Sequence, residues 1–222
     1  MDYDVFEALF EQEWGSLTEE QKRRFRAVDA LYRDWNSKIN VISRKDMDGI
    51  YAHHVLHSLG IALYLLNRRP EVLEKWKAGG VKVLDLGTGG GFPGIPLAIL
   101  FPKVKFTLCD SIAKKITVAS SVASALGLEN VECVNARAES LPGKYDWVVS
   151  RAVTSLDNFL PWVKGRYSEG ILYLKGGDVN EEIANAMMKF RLPAGSVSTW
   201  RLDNVVGDTW YEGKLVLEVA RF

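Results

Sequence analysis

The stretch Val81-Lys-Val-Leu-Asp-Leu-Gly-Thr-Gly-Gly-Gly-Phe-Pro-Gly-Ile-Pro96 decides the fold. It reads as a short apolar strand, an acidic residue, and a glycine-dense turn that opens a helix. Glycine lacks the Cβ that would hold a ligand off the backbone, so such a turn brings N–H groups close to one. A nucleotide-like cofactor is its natural occupant.

Downstream of this turn, short apolar runs alternate with amphipathic segments. Val81–Leu86, Val104–Cys109, Val131–Val134, Trp147–Ser150 and Ile171–Lys175 read as buried parallel strands. Gly94–Phe101, Ile112–Leu126 and Leu156–Val163 read as the crossover helices between them. Strand–helix alternation of this kind predicts a doubly wound α/β sheet. At the end, Val197–Leu202 and Lys214–Ala220 flank a Gly/Asp-containing loop and are expected to finish the sheet as an antiparallel pair. Upstream the pattern is helical. Thr18-Glu-Glu-Gln21 has the form of a capping box, and Phe25, Val28, Leu31, Tyr32, Trp35 and Ile39 recur at steps of three and four. A further helix is expected from about Asp46 to Leu66, stopping before Pro70. The expected organisation is a helical extension over 1–80 and a core over 81–222, forming one compact unit.

The totals, 47% hydrophobic and 25% charged residues among 222, fit an ordinary globular chain. The sequence contains no apolar run approaching the roughly 20 residues of a membrane span. The acidic start Met1-Asp-Tyr-Asp-Val lacks a basic signal region, so a cytoplasmic location is expected. Cys109 and Cys133 lie in strand-like segments and are expected to be reduced core thiols. The net charge of zero argues mildly against a nucleic-acid coat protein. It hides an asymmetry, because residues 1–21 carry only acids, whereas 22–45 hold eight Lys/Arg against Asp29 and Asp34. That basic run reads first as a solvated helix face and second as a phosphate-facing patch.

Ligands of open α/β sheets bind beyond the carboxyl ends of the strands, where Gly87, Gly89, Gly91, Asp85 and Asp110 fall. A carboxylate ending the second strand suits a ribose, because it accepts from both vicinal hydroxyls. Two cofactors compete. From Gly89, Gly-x-Gly-x-x-Gly94 formally matches a dinucleotide fingerprint, but Pro93 interrupts the helix start and Asp85 adds charge where a pyrophosphate would lie. From Gly87, Asp85-x-Gly-x-Gly-x-Gly91 is the acidic-then-glycine motif of class I methyltransferases. Their S-adenosylmethionine carries a sulfonium and an amine, which a nearby carboxylate favours. This reading is preferred, with a Rossmann-like, mostly parallel sheet and an antiparallel C-terminal strand. Rivals are a nicotinamide-dependent oxidoreductase and a non-catalytic RNA-binding module.

Motifs for methylating adenine amino groups or pyrimidine C5 are missing. Instead the fourth strand runs into Val149-Ser-Arg-Ala152 and the fifth into Tyr173-Leu-Lys-Gly-Gly177, and Arg151 and Lys175 suit an anionic substrate. The histidines cluster in His53-His-Val-Leu-His57, where packing or RNA contact is expected ahead of a metal, since no third ligand is visible.

Trp35-Asn-x-Lys-Ile-Asn40, His54-Val-Leu-His-Ser58, Asp85 to Pro96, Asp110-Ser-x-x-Lys-Lys115, Arg137-Ala-Glu139, Ser150-Arg-Ala152 and Leu174-Lys-Gly176 occur in order. Together they resemble the ribosomal RNA small subunit methyltransferase G family, also called glucose-inhibited division protein B. The resemblance runs from about residue 30 to 177. It implies a bacterial cytoplasmic enzyme that methylates N7 of a guanine in the 530 loop of 16S rRNA, with the rRNA or a small-subunit assembly particle as partner and no membrane or metal. A monomer is expected. Another RNA or a small molecule is the alternative acceptor. Carried over by motif, the cofactor contacts are Gly87, Phe92, Asp110 at the ribose, Ala138 and Glu139 beside the adenine, and Arg151. His57 stands where the family often has Asp, so no role of that carboxylate transfers. Guanine N7 has a free lone pair and needs no catalytic base, which leaves alignment of N7, methyl and sulfur as the main task. Arg151 and Lys175 are the candidates for holding the substrate.

Overall fold

The structure is a computed structural model that describes residues 1–203 and 206–221. Helix α1, Tyr3–Trp14, is capped by Asp2, whose Oδ1 accepts from the Val5 N–H at 3.0 Å. Helix α2, Glu19–Lys38, begins with both halves of the expected capping box between Thr18 and Gln21. Its Phe25, Val28 and Tyr32 are buried, as the spacing predicts.

The single helix expected from Asp46 is three helical forms in succession. A 3₁₀ turn, Met47–Gly49, leads into a π-helical stretch, Ile50–Leu56, and then helix α3, His57–Arg68. This continuous Met47–Arg68 stretch is long and apolar enough by composition to cross a membrane, contrary to the sequence reading. However, 78% of its most apolar window is buried within the protein, as befits a core helix. The helix does stop before Pro70, at Arg68, but Pro70 starts another helix, α4 (Pro70–Ala78), where its missing N–H and fixed φ suit the first turn.

The strands are β1 (Lys82–Leu86), β2 (Lys105–Asp110), β3 (Val131–Asn135), β4 (Tyr145–Arg151), β5 (Tyr167–Gly176), β6 (Val197–Arg201) and β7 (Lys214–Ala220). Helices α5 (Gly94–Leu100), α6 (Ala113–Ala125) and α7 (Leu156–Val163) connect the parallel strands, and α8 (Asn180–Phe190), absent from the sequence reading, follows β5. One sheet results, in the order β3-β2-β1-β4-β5-β7-β6. Strands β1 to β5 pair in parallel, while β7 lies antiparallel between β5 and β6.

Side chains of each strand alternate between two apolar clusters. Val83, Phe106, Leu108, Trp147, Val149 and Leu172 face a cluster that also holds Phe6, Phe25, Tyr32, Leu59 and Trp76 from the N-terminal helices. Leu84, Cys109, Val148, Ile171 and Tyr173 face Leu156, Phe159 and Ala186 of α7 and α8 on the other side. The N-terminal helices thus form much of one layer of an α/β/α sandwich. Because β1 lies between β2 and β4, the chain order reverses there. That switch point opens a crevice at the carboxyl ends of these strands.

Candidate functional site

The glycine turn is tied down from beneath by its own acid. Asp85 is fully buried, and its Oδ2 accepts from the Thr88 hydroxyl at 2.6 Å and from the Gly94 N–H at 2.7 Å. A Cβ at Gly94 would lie 2.7 Å from that same oxygen, so only glycine allows the approach. The other oxygen, Oδ1, is buried with no hydrogen-bond partner. Burial pushes the carboxyl up to about 7, against the hydrogen bonds from Thr88 and Gly94 and the field of Arg151. From above, the Tyr32 hydroxyl of α2 donates to the Gly90 carbonyl at 2.8 Å. Gly89 takes a φ of +59° and faces open space.

Asp110 ends β2 beside this turn. Its Oδ2 accepts from the Gly89 N–H at 3.0 Å and its Oδ1 from the Ile112 N–H at 2.9 Å. A carboxylate offers about four lone-pair positions, so each oxygen can accept once more. A cavity of about 610 Å³ opens here, lined by Gly87, Asp110, Ile112, Ala138, Glu139 and Arg151 among others. That volume suits a nucleoside-sized ligand. Ile112 is 48% exposed although apolar, and with Ala138 it offers apolar surface to a flat ring.

Five of the nine cofactor candidates therefore meet on one cavity: Gly87, Asp110, Ala138, Glu139 and Arg151. Asp85, Gly89 and Gly91 shape the turn rather than line the cavity, and Phe92 is buried beneath, 4.7 Å from the Tyr32 ring. Sequence reasoning missed Ile112 and Trp162 as lining residues, since isolated apolar side chains carry no motif, and it gave Lys115 no role although the Asp110-Ser-x-x-Lys-Lys115 motif contains it.

Arg151 is wedged between the sheet and the π-helical stretch. Its Cζ lies 5.2 Å from the Phe92 ring centre, its NH1 donates to the His53 carbonyl at 3.2 Å, and its NH2 lies 3.0 Å from His54 Nδ1. Burial pushes its pKa down to about 10, which leaves it charged at neutral pH. Asp46, not anticipated from sequence, bridges both histidines: one oxygen pairs with His53 Nδ1 and the other with His54 Nε2 at 2.8 Å. Burial raises the Asp46 pKa, but the hydrogen bonds of His53 and His54 outweigh it and hold the carboxyl below its ordinary range. His57 is buried against Trp210 and Tyr211, and burial pushes it well below the usual histidine range. No group of three or more His, Cys, Asp or Glu residues fit to hold a metal occurs among the described residues.

Lys175 is placed differently. Its Nζ donates to the Thr154 carbonyl at 2.7 Å and pairs with Glu182 of α8 at 2.8 Å. Tyr173 assists, its hydroxyl accepting from the Val153 and Thr154 N–H groups. Lys175 thus clamps the segment that follows Arg151, away from the cavity lining. The basic run of α2 is also largely consumed internally: Lys22 pairs with Glu7 and Glu11, Arg23 and Arg24 with Glu20, Arg33 with Asp29, and Lys38 with Asp34. The acids of 1–21 and the bases after them neutralise one another. Cys109 and Cys133 are free thiols.

Residues 21–201 match the family model described as rRNA small subunit methyltransferase G. The chain is 45% identical over 212 residues to the ribosomal RNA small subunit methyltransferase G of Flavobacterium johnsoniae, covering 92% of this chain and 93% of that one. Identity to the protein of the same name from Bacteroides thetaiotaomicron is 53% over 174 residues, or 75% and 80% of the two chains. Among solved structures, a magnesium protoporphyrin IX methyltransferase from Synechocystis PCC 6803 with bound S-adenosylmethionine superposes with a TM-score of 0.61 at 15% identity, over 93% of this chain and 99% of that one. A Thermus thermophilus 16S rRNA N2 G1207 methyltransferase in complex with S-adenosylmethionine and guanosine gives 0.52 at 18% identity, over 72% and 43%. At these identities the structural likeness shows the shared fold.

Proposed function

The chain belongs to the rRNA small subunit methyltransferase G family, and on that premise we propose that it methylates N7 of a guanine in the 530 loop of 16S rRNA, using S-adenosylmethionine. The observation that carries the reading is the convergence of Gly87, Asp110, Ala138, Glu139 and Arg151 on one cavity at the switch point of the sheet. This membership sets aside the nicotinamide-dependent alternative. The residues present fit the cofactor. Asp110 has lone pairs left for two ribose hydroxyls, and Ile112 and Ala138 offer apolar surface to an adenine. The unpartnered Asp85 Oδ1 puts an acceptor under the turn, where a cationic ligand is favoured. When bound, S-adenosylmethionine supplies an electrophilic methyl group on a sulfonium.

The protein's own part is positioning. Guanine N7 presents a lone pair, so no proton has to leave before attack. In keeping with this, both nitrogens of His54 are committed, one to Asp46 and one to Arg151. Arg151, a donor-only side chain on the cavity wall, is suited to hold guanine O6 or an adjacent phosphate. Holding the reactants in line contributes on the order of 7–11 kcal/mol at best. The guanine has to leave its stack to enter, at a cost of a few kcal/mol. The proposed setting is the cytoplasm, with the protein acting as a monomer on rRNA or on an assembly particle.

The test is transfer of a tritiated methyl group to 16S rRNA from a strain lacking the gene, followed by mapping through chain cleavage at N7-methylguanine. Labelled 530-loop guanine N7 is the expected result. Label elsewhere, or none on either naked rRNA or small subunits, would overturn the proposal.

A further inference from the structure

We propose that Asp46 and His54 are positioning residues that act through Arg151: Asp46 fixes the His54 tautomer, and that tautomer presents an acceptor which orients the guanidinium at the cavity wall. The inference deepens the proposed methyl transfer and rests on that reading for the role of Arg151. Its geometry stands independently.

An arginine has five N–H donors and no acceptor. With Arg151 NH2 3.0 Å from His54 Nδ1, that nitrogen has to carry a lone pair. The ring proton is then on Nε2, which lies 2.8 Å from an Asp46 oxygen. The chain of donors therefore runs one way, from Arg151 to His54 to Asp46. A second bond, from Arg151 NH1 to the His53 carbonyl at 3.2 Å, fixes the same edge of the guanidinium. Its remaining donors are left for the cavity that Arg151 lines.

Three features of the backbone serve this arrangement. The stretch Ile50–Leu56 is π-helical, a local irregularity found often at functional sites, and from it His53 and His54 both reach one carboxylate. Asp46 caps the preceding 3₁₀ turn, and the Gly49 N–H donates to its carbonyl at 3.0 Å. Any Cβ at Gly49 would collide with the His53 ring, so glycine is required for the ring to lie where it does. His53 in turn stacks on Trp210 at 4.3 Å, which backs the cluster from the β6–β7 connection. Arg151 and Asp46 are 105 residues apart in sequence, and only the fold joins them.

The tautomer is read directly by nitrogen-15 NMR of the histidine rings in the wild-type protein, with His54 assigned by its loss in His54→Asn. A protonated Nε2 and an unprotonated Nδ1 are expected, and the reverse tautomer or an imidazolium at neutral pH would overturn the inference whatever the substrate is. Two variants then separate the two nitrogens. An asparagine amide oxygen can stand where Nδ1 stands, whereas glutamine replaces Nε2 only. His54→Gln should lower kcat for rRNA methylation by up to about 100-fold, as a misplaced group can, with S-adenosylhomocysteine affinity changed less than about threefold and His54→Asn recovering most of the loss. Equal losses in both variants, or a loss confined to cofactor affinity, would refute the positioning role. Failure of wild-type N7 methylation alongside the expected tautomer would instead count against the proposed function, leaving the relay in place.

Discussion

Asp85→Asn tests whether the buried acid beneath the glycine turn is coupled to the cationic cofactor. In the free protein, burial holds this carboxyl at about 7, against the stabilising bonds from Thr88 and Gly94. A cationic ligand above the turn favours the ionised form, so binding expels a proton wherever the free protein still carries it. At pH 6 roughly a tenth of the free protein is ionised at Asp85, and at pH 8 roughly nine tenths. S-adenosylmethionine should therefore bind up to about tenfold more tightly at pH 8 than at pH 6, equivalent to about 1.4 kcal/mol at full coupling. The ligand's own amine also titrates, but it does so with either protein, and the ratio of wild-type to Asp85→Asn affinities cancels it. Asparagine keeps an oxygen to accept from Thr88 and Gly94 while losing the charge, so the turn should remain folded. The assay is titration calorimetry at pH 6, 7 and 8 on both proteins, with circular dichroism to check the fold. A wild-type affinity that tracks the variant across the range would refute the coupling.

His54 is shifted the other way: burial and then Arg151 push it down to about 4. The folded protein keeps this ring neutral while the unfolded chain takes up a proton below about 6.5, so stability falls as pH drops through that window, by up to about 3 kcal/mol. Urea unfolding of wild type and His54→Asn at pH 7 and pH 5 should show a smaller decline in the variant; equal declines would refute it. Lys175→Met removes the partner of Glu182, and since the pair is largely buried but Glu182 keeps the Leu156 N–H, the loss should be about 3 kcal/mol, the low end for a broken buried pair. Adding Glu182→Gln should recover part of it, and lost methylation with unchanged stability would return Lys175 to the substrate. Arg44 and Lys45 are exposed and, among the described residues, pair with no acid, unlike most of the basic run before them. Charge reversal at both should weaken RNA binding and flatten the plot of log affinity against log salt by about 1.5; an unchanged slope would exclude them from the RNA contact.

What was legible in the sequence is what local chemistry enforces. The five parallel strands, the glycine turn and Asp110 follow from apolar runs that must be buried and from a turn in which Asp85 and Gly94 come too close for any other residue. Ends of elements were less legible. Pro70 reads equally as a stop or as a first turn, and the polar, moderately amphipathic α8 has no strong boundary beyond Gly177. Charges were the least legible of all. A run of eight bases leaves a solvated face and a phosphate surface both open until α1 folds back and offers Glu7 and Glu11 to Lys22. Likewise Lys175 looks like a substrate contact until α8 supplies Glu182. Strand ends announce where a charge stands, whereas its use depends on which counter-charge the tertiary fold brings up.

The histidine cluster takes that reasoning one step further. Spacing of one and four residues gave no reason to single out His54, because its partners Asp46 and Arg151 lie outside the histidine motif and only the fold brings them to it. Within the π-helical stretch both histidines meet Asp46, and the resulting tautomer of His54 then faces Arg151 from a different layer of the sandwich. The cost is a helix geometry that is rare in itself and found often at functional sites. An irregularity of this kind, set between a 3₁₀ turn and a regular helix and bonded to a cavity residue, is explained by the position of that residue rather than by the stability of the helix.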